Sequence, residues 1–174
     1  MKPSLLRQTP FLLALCAAAA NAAPAHEHGV GRLDVAVEHG RVTLLLEMPL
    51  DSLVGFEHAP RNDEERAAAQ AALAKLHDVA RLFRIDGAAQ CGPAHVEIDA
   101  GPLDAAGHEH ADGHADAEAS YSFECAAAER AGFVETGLLE LFPRLRIVNV
   151  QAATRQGQWK AMLKRPLTRL PLVR

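Results

Sequence analysis

The sequence predicts a single α+β domain, in which one long helix packs on an antiparallel β-sheet. In segments 33–37 and 42–48, every second residue is Leu, Val or Met, which is the pattern of half-buried strands. After residue 62, apolar residues instead recur every three or four positions, which is the pattern of an amphipathic helix. The chain has 174 residues, a length typical of one such domain.

The first half of the domain is predicted to contain a hairpin followed by the long helix. The two alternating segments are joined by His39-Gly40, and this glycine suits a turn. Residues 49–61 are expected to form a loop, and Asn62 with Glu65 has the spacing of a helix-starting capping box. The helix is expected to extend to about residue 83. Its buried stripe would consist of Ala69, Leu73, Leu76, Ala80 and Phe83.

The second half is predicted to place a His-rich loop between two strands. Apolar alternation at Val96 and Ile98, and again at 121–125, predicts these strands. Residues 100–118 between them have low complexity and no apolar period, so they are predicted to form a flexible loop. A helical turn at 138–142, a second hairpin at 145–163 and an edge segment at 167–172 are expected to follow.

The first 25 residues have the features of an export signal. Lys2 and Arg7 form a positively charged start, and residues 11–20 are an apolar stretch too short to cross a membrane. Cleavage is expected after Ala22 or Ala25, because small residues surround both positions. No later stretch is long and apolar enough to span a membrane, so residues 26–174 are predicted to be an exported, soluble domain.

Removal of the signal would leave two cysteines, Cys91 and Cys125. An even number of cysteines in an oxidising compartment predicts a disulfide, which would close the chain around the low-complexity loop. Two buried free thiols are the alternative. A cysteine-based zinc site is disfavoured, because the pair lacks the short spacing of zinc-binding cysteines.

Composition and motifs argue against several classes of function. The net charge of −4 and the pI near 6.1 disfavour nucleic-acid binding, which requires a basic surface. The sequence contains no His-Glu-x-x-His, no Gly-x-Ser-x-Gly and no phosphate-binding loop. We therefore expect a protein that is not an enzyme.

The nine histidines are the clearest excess in the composition, and three of them lie within one short segment. The candidate metal ligands of this segment are His108, Glu109, His110, Asp112, His114 and Asp116. Imidazole nitrogen and carboxylate oxygen suit Zn²⁺, and such groups also bind Cu²⁺ or Ni²⁺. Ordering the loop on binding costs entropy, so moderate affinity is expected. A solvated polar linker is the alternative interpretation.

Two further groups are candidate metal ligands. His26 and His28 lie at the start of the mature chain, where a free terminal amine would also favour Cu²⁺. Glu57 and His58 lie in the apolar loop beside Phe56, and either side chain could face a ligand. For His58, a structural role in binding a backbone carbonyl is the alternative. The remaining histidines of the mature chain, His39, His77 and His95, are predicted to lie on the surface.

These features resemble the ZrgA-like zinc-binding proteins of Gram-negative periplasms. The resemblance is carried by the His-x-His-Gly start at 26–29, by Gly-Phe-Glu-His-Ala-Pro at 55–60, and by the cysteine pair around the His-rich segment. Further matching stretches lie at 82–83, 121–125, 141–143 and 150–151, so the resemblance covers essentially the whole mature chain. It implies a periplasmic accessory protein that captures zinc for an importer, with the importer's binding protein as a partner.

Two other functions are weighed against this one. A periplasmic interaction module could dock a partner on the apolar loop at 50–60, with metal binding only incidental. A metal-dependent hydrolase is disfavoured, because such sites sit on rigid elements, whereas these histidines lie in a chain end and a loop.

Replacing His108, His110 and His114 with alanine is predicted to lower the zinc stoichiometry and to leave the stability nearly unchanged. These donors lie outside every apolar period, so their side chains should not belong to the core. Calorimetric zinc titration and thermal unfolding of the mature protein measure the two quantities. If the triple variant bound as much zinc as the parent, the segment would be only a linker.

Overall fold

A computed structural model of the protein describes residues 27–103 and 116–173. Its strands are β1 (Val30–Glu38), β2 (Arg41–Pro49), β3 (Phe83–Ile85), β4 (Cys91–Asp99), β5 (Asp116–Cys125), β6 (Phe133–Thr136), β7 (Ile147–Thr154), β8 (Gly157–Leu163) and β9 (Arg169–Pro171). Its helices are α1 (Leu50–Leu53), α2 (Asp63–His77), α3 (Val79–Leu82) and α4 (Leu138–Leu141). The strands form a six-stranded sheet in the order β4-β5-β2-β1-β7-β8 and a three-stranded sheet in the order β3-β6-β9. The α+β class is consistent with this arrangement.

The first hairpin is confirmed in position and in register. β1 and β2 pair antiparallel with Val35 opposite Leu44, and both side chains are buried. Gly40 in the turn has a φ of +76°, a conformation that glycine adopts without strain. The predicted second hairpin is also present, as β7 and β8.

The large sheet is mostly antiparallel, as predicted, but one strand pair is parallel. β1 pairs in parallel with β7, with Val35 beside Ala152, while its other neighbour β2 is antiparallel. Apolar alternation shows which residues of a strand are buried, but it carries no information about strand direction. The direction follows from the path that the chain takes between β1 and β7.

The long helix starts as predicted but ends earlier. The Asn62 side chain accepts a hydrogen bond from the Glu65 amide at 2.8 Å, and the Glu65 carboxylate accepts one from the Arg61 amide at 2.7 Å. The helix ends at His77, because Asp78 has a ψ of 70° and breaks the helical path. Residue 83 therefore begins β3 instead of ending the helix.

The buried stripe of α2 differs accordingly from the predicted one. Ala69, Ala72 and Leu76 are its buried residues, whereas Leu73 is only half-buried. Ala80, which lies beyond the break, is exposed. The apolar spacing continues through Asp78 in the sequence, but the backbone does not continue the same helix.

Tyr121 of β5 links α2 to the large sheet through a hydrogen bond. Its hydroxyl donates a hydrogen bond to the Leu76 carbonyl at 2.9 Å, near the end of the helix. Its ring meets the Phe83 ring edge-on, with 5.0 Å between the centroids. Burial raises the pKa of Tyr121, so the hydroxyl stays protonated and available as a donor. The core therefore lies between the large sheet on one side and α2 with the start of the small sheet on the other.

The apolar loop before α2 belongs partly to the core. Residues 50–53 form the short helix α1, in which Leu50 is fully buried and Leu53 is 9% exposed. The small strands β3 and β6 were not predicted, because three or four residues are too few to show a period. The predicted edge segment is present as β9, which pairs with β6.

Cys91 and Cys125 form the predicted disulfide. They lie directly opposite each other on β4 and β5, the two strands predicted to flank the His-rich loop. Within the predicted range of 100–118, Ala100 and Leu103 are buried and β5 begins at Asp116. Residues 104–115 lie outside the described residues.

Replacing both cysteines with alanine is expected to lower the free energy of unfolding by about 2–4 kcal/mol. The disulfide joins positions 34 residues apart, so its loss frees a long loop in the unfolded chain. Urea unfolding followed by circular dichroism measures the difference, and the parent protein treated with a reductant serves as a control. A variant with the parent's midpoint in urea would contradict the expectation.

Candidate functional site

The residues just before β1 are held firmly by backbone hydrogen bonds. The Gly29 amide donates to the Ser52 hydroxyl of α1 at 2.9 Å. The Gly29 carbonyl accepts from the amides of Arg146 and Ile147, at 2.8 and 3.0 Å, where β7 begins. The chain around His28 is therefore fixed between α1 and the start of β7.

Gly29 has the residue type that this position requires. Its φ is +80°, and an added Cβ would lie 2.5 Å from Nε of Arg146. The same Arg146 side chain donates a hydrogen bond to the His28 carbonyl at 2.7 Å. The glycine thus lets the chain turn closely against Arg146, which sets the direction in which the His28 side chain leaves the backbone.

His28 and Glu57, two of the predicted metal ligands, meet at this point. Nε2 of His28 lies 3.0 Å from Oε1 of Glu57, although the residues come from two different predicted groups. Nδ1 of the same ring lies 4.0 Å from Oδ2 of Asp51, in α1. The side chains of His28, Glu57 and Asp51 are 62%, 34% and 27% exposed, so solvent reaches this imidazole–carboxylate pair.

The spacing of the His28–Glu57 pair suits either a hydrogen bond or a shared metal ion. Two donors that each lie about 2.1 Å from a tetrahedral zinc ion are about 3.4 Å apart, close to the spacing seen here. Asp51 faces the other ring nitrogen at 4.0 Å, beyond hydrogen-bond distance. A small movement would let it accept the Nδ1 proton, as carboxylates commonly do behind metal-bound histidines.

The pair is not by itself a closed metal site. Within residues 27–103 and 116–173, no group of three or more His, Cys, Asp or Glu side chains is arranged to hold a metal ion. A structural zinc site normally has four protein ligands, so the described residues would leave coordination positions for water or other donors. His26 is two residues from His28 in the sequence, but it lies outside the described residues.

His58 does not join the pair. Its ring stacks on Phe56 with 5.0 Å between centroids, and its Nδ1 lies 3.0 Å from the Ala59 carbonyl oxygen. Nδ1 also lies 3.9 Å from the carboxylate of Glu65. This arrangement corresponds to the structural alternative, in which His58 binds a backbone carbonyl and orders the loop before α2.

Most of the His-rich segment falls outside the described residues. This holds for His108, Glu109, His110, Asp112 and His114. Asp116, the last predicted ligand of the segment, is the first residue of β5 and pairs with Pro49 at the end of β2. It is 9% exposed and therefore lies in the sheet rather than in a solvated loop.

Two residues of the site were missed by sequence reasoning. Asp51 and Ser52 lie in α1, a four-residue helix in a stretch that was predicted to be a loop. A single Asp-Ser pair in a loop carries no pattern that points to a histidine more than twenty residues away. Only the fold shows that α1 lies beside Gly29, where Ser52 anchors the chain and Asp51 faces the imidazole.

Two carboxylates at the small sheet have lowered pKa values. The Arg84 side chain, with a further contribution from Arg169, lowers the pKa of Glu135. The backbone amides of Ala88 and Gly132 lower the pKa of Asp86. These groups join β3, β6 and β9, and their roles are structural.

The exposed pair His95 and Glu97 of β4 offers a useful comparison. Nε2 of His95 lies 3.3 Å from Oε1 of Glu97, and both side chains are 76% exposed. They lie two positions apart on one strand, so their contact is local in sequence, whereas His28 and Glu57 come from distant segments. A metal-binding role for His28 and Glu57 can therefore be tested against a pair of the same chemistry.

The fold and site together define a disulfide-bonded α+β protein that presents solvent-accessible imidazole and carboxylate groups at one end of its large sheet. A sequence model described as ZrgA family zinc uptake protein matches residues 25–172. The chain therefore belongs to the ZrgA family of zinc uptake proteins. No curated protein matches it at a significant level.

The family and the disulfide also bear on location. Disulfides persist mainly in oxidising compartments, so the disulfide and the zinc uptake family together indicate an exported protein. Within the described residues, no helix has the length and apolarity needed to cross a membrane.

Proposed function

We propose that this protein is a periplasmic, non-catalytic accessory protein that binds zinc and supports its uptake by an importer. The observation that carries the proposal is the zinc uptake family's match to residues 25–172. The His28–Glu57 pair adds a candidate zinc-binding place of suitable chemistry. Cu²⁺ and Ni²⁺ bind similar donors and would compete in vitro.

The sheet topology places His28 at the end of the fold where the described chain on either side of the His-rich segment also lies. The beginning of β1, where His28 lies, is at the same end as the end of β2, because Arg32 pairs with Glu47. The ends of the His-rich segment are there too, since Asp116 pairs with Pro49 and Asp99 pairs with Glu118. The chain therefore leaves and rejoins the sheet for the His-rich segment at the end where His28 lies, which supports a shared role of the two groups.

The openness of the pair suits zinc transfer better than permanent zinc storage. Both side chains of the pair are partly exposed, so an ion could enter and leave without unfolding the protein. Few fixed protein ligands leave positions at which the ligands of an importer could attack the metal. A delivery protein needs such exchange, whereas a structural zinc site prevents it.

The alternative of partner docking on the apolar loop finds less support. The apolar side chains that suggested a docking surface are largely buried in the core, with Leu50 at 0% and Leu53 at 9% exposure. Phe56 is half-buried and stacks on His58. The apolar character of 50–60 is therefore explained by packing within the protein itself.

Zinc titration of paired variants tests the proposed site. In a parent that carries His108→Ala, His110→Ala and His114→Ala, the changes His28→Ala and Glu57→Gln are expected to reduce the remaining zinc affinity by about 10–100-fold. The matched control carries His95→Ala and Glu97→Gln in the same parent, and its affinity is expected to stay within about twofold of that parent. Isothermal calorimetry measures both affinities.

Thermal unfolding shows whether each of these variants is still folded. If the His28 and Glu57 changes left zinc binding intact in folded protein, the pair would be only an ion pair that secures the chain end. The proposal of a zinc-binding protein would then depend on the His-rich segment alone.

Zinc binding is expected to weaken steeply as the pH falls through about 6.5, the reference pKa of a histidine side chain. An imidazole must be neutral to donate its lone pair, so protons and zinc compete for the same nitrogen. Titrations between about pH 7.5 and 5.5 measure the dependence. A site dominated by carboxylates would instead persist to about pH 4–5, and an affinity unchanged over the measured range would exclude histidine as the main ligand.

A further inference from the structure

The large sheet has a second face, which is exposed. Along β1 and β2, every second side chain points into the core, and those between them point away from it. Leu45 of β2 and Met162 of β8 lie on this outward face and are 50% and 54% exposed. Arg32, Asn149, Gln151 and Lys160 on the same face are also exposed. We call this surface the open face.

Carboxylates are concentrated on the open face around Leu45. Glu47, Glu118 and Asp99 occupy directly paired positions on β2, β5 and β4. In the next row, Leu45 pairs with Ser120, which pairs with Glu97. Like charges at directly paired positions repel each other, and Arg32, opposite Glu47 on β1, offsets only part of this repulsion.

The basic side chains of the open face neutralise only part of this charge. Arg32 makes two hydrogen bonds to the Asp34 carboxylate, at 3.1 and 2.7 Å. Arg41 donates two hydrogen bonds to Oε1 of Glu124, at 3.1 and 2.6 Å. Both guanidinium groups are thus bonded to carboxylates outside the Glu47–Glu118–Asp99 row. Arg32 also lies opposite Glu47 on β1 and attracts its carboxylate. On β2, β5 and β4, however, the two rows hold four carboxylates and no lysine or arginine.

The open face is also shaped to receive a ligand. A shallow hollow of about 420 Å³ lies between β1, β2, β5 and β4, and Leu45, Glu47, Glu97 and Glu118 contribute to its lining. A second hollow of about 400 Å³ extends from Leu45 towards Trp159 on β8. Leu45 lines both hollows, as do the paired side chains of Arg32 and Asp34, so an apolar side chain and an ion pair lie where the two hollows adjoin.

We propose that the open face docks a polypeptide segment in which lysine or arginine side chains flank an apolar side chain. The apolar side chain would cover Leu45, and the cations would lie over the Glu47–Glu118–Asp99 row and relieve its repulsion. A second copy of this chain fits poorly, because its own open face is acidic. An anionic lipid surface is disfavoured for the same electrostatic reason.

The position of the open face connects it with the candidate zinc site. A third hollow, of about 420 Å³, is lined by Arg32 and Glu47 of the open face and also by Glu27 and Asp116. Glu27 directly precedes His28, and Asp116 is the residue at which the chain returns from the His-rich segment. A partner on the open face would therefore lie beside the zinc ligands; this consequence rests on the proposed function, whereas the docking itself does not.

Peptide titration of zinc-free mature protein tests the docking. The probe is a synthetic peptide in which lysines flank a central leucine, and the comparison peptide has glutamate in place of lysine. We expect the lysine peptide to shift the amide NMR signals of β1, β2, β4 and β5, with an affinity that falls as salt is added. The glutamate peptide is expected to cause no shifts.

Charge-reversal variants test whether the binding is local. The double change Glu47→Lys and Glu118→Lys is expected to lower the affinity for the lysine peptide by at least about tenfold, because like charges would then meet. The matched control, Glu64→Lys with Glu129→Lys, changes the net charge equally at exposed positions outside the large sheet and is expected to change affinity by less than about twofold. Leu45→Ala is expected to weaken binding without any change of charge.

Each result decides the proposal. Equal weakening by the two charge-reversal pairs, or signal shifts centred on α2 or the small sheet, would show unspecific attraction and overturn it. Signal dispersion in each variant's own spectrum shows whether it is folded. His28→Ala is expected to bind the lysine peptide like the parent, so a failure of docking is distinguishable from a failure of zinc binding.

Discussion

The register of β1 is the constraint on which the rest of the structure depends. β1 lies inside the large sheet, antiparallel to β2 and parallel to β7, and it buries Leu33 and Val35. A slip by one residue would turn these side chains to the open face and bury Arg32 and Asp34. The same register sets where the chain leaves the sheet, and so it places Gly29 against Ser52 and the start of β7.

The candidate zinc ligands depend on that placement. Because the Gly29 backbone is held by α1 and β7, the His28 side chain meets a carboxylate from a segment nearly thirty positions later in the chain. The protein thus combines a rigid sheet with a partly exposed pair of donors at its edge. The rigid sheet keeps the donors together, and their exposure would let a bound zinc ion exchange. A zinc-delivering protein requires both properties. The acidic open face begins at the same edge, so metal capture and partner docking would occur side by side.

Several parts of the fold could be predicted because they rest on local patterns. The alternation in β1 and β2 and the cap formed by Asn62 and Glu65 depend on residues close in sequence. The disulfide could be predicted because only two cysteines follow the export signal. The early end of α2 could not be predicted, because the apolar spacing runs on while Asp78 breaks the helix. The parallel pairing of β1 with β7 could not be predicted for another reason. The apolar pattern of a strand shows its buried face but not its direction.

By itself, the sequence determined the residue types of the site and the chemistry they permit. Imidazoles and carboxylates identify candidate metal ligands from the sequence alone, because ligand chemistry is a property of the side chain. Only the tertiary structure decided which donors meet. It joined His28 to Glu57, brought Asp51 to the other side of the ring and turned His58 towards Phe56. The contacts of His28 with Glu57 and Asp51 join segments distant in sequence, and their geometry depends on how the residues before β1 meet α1, which no local pattern records.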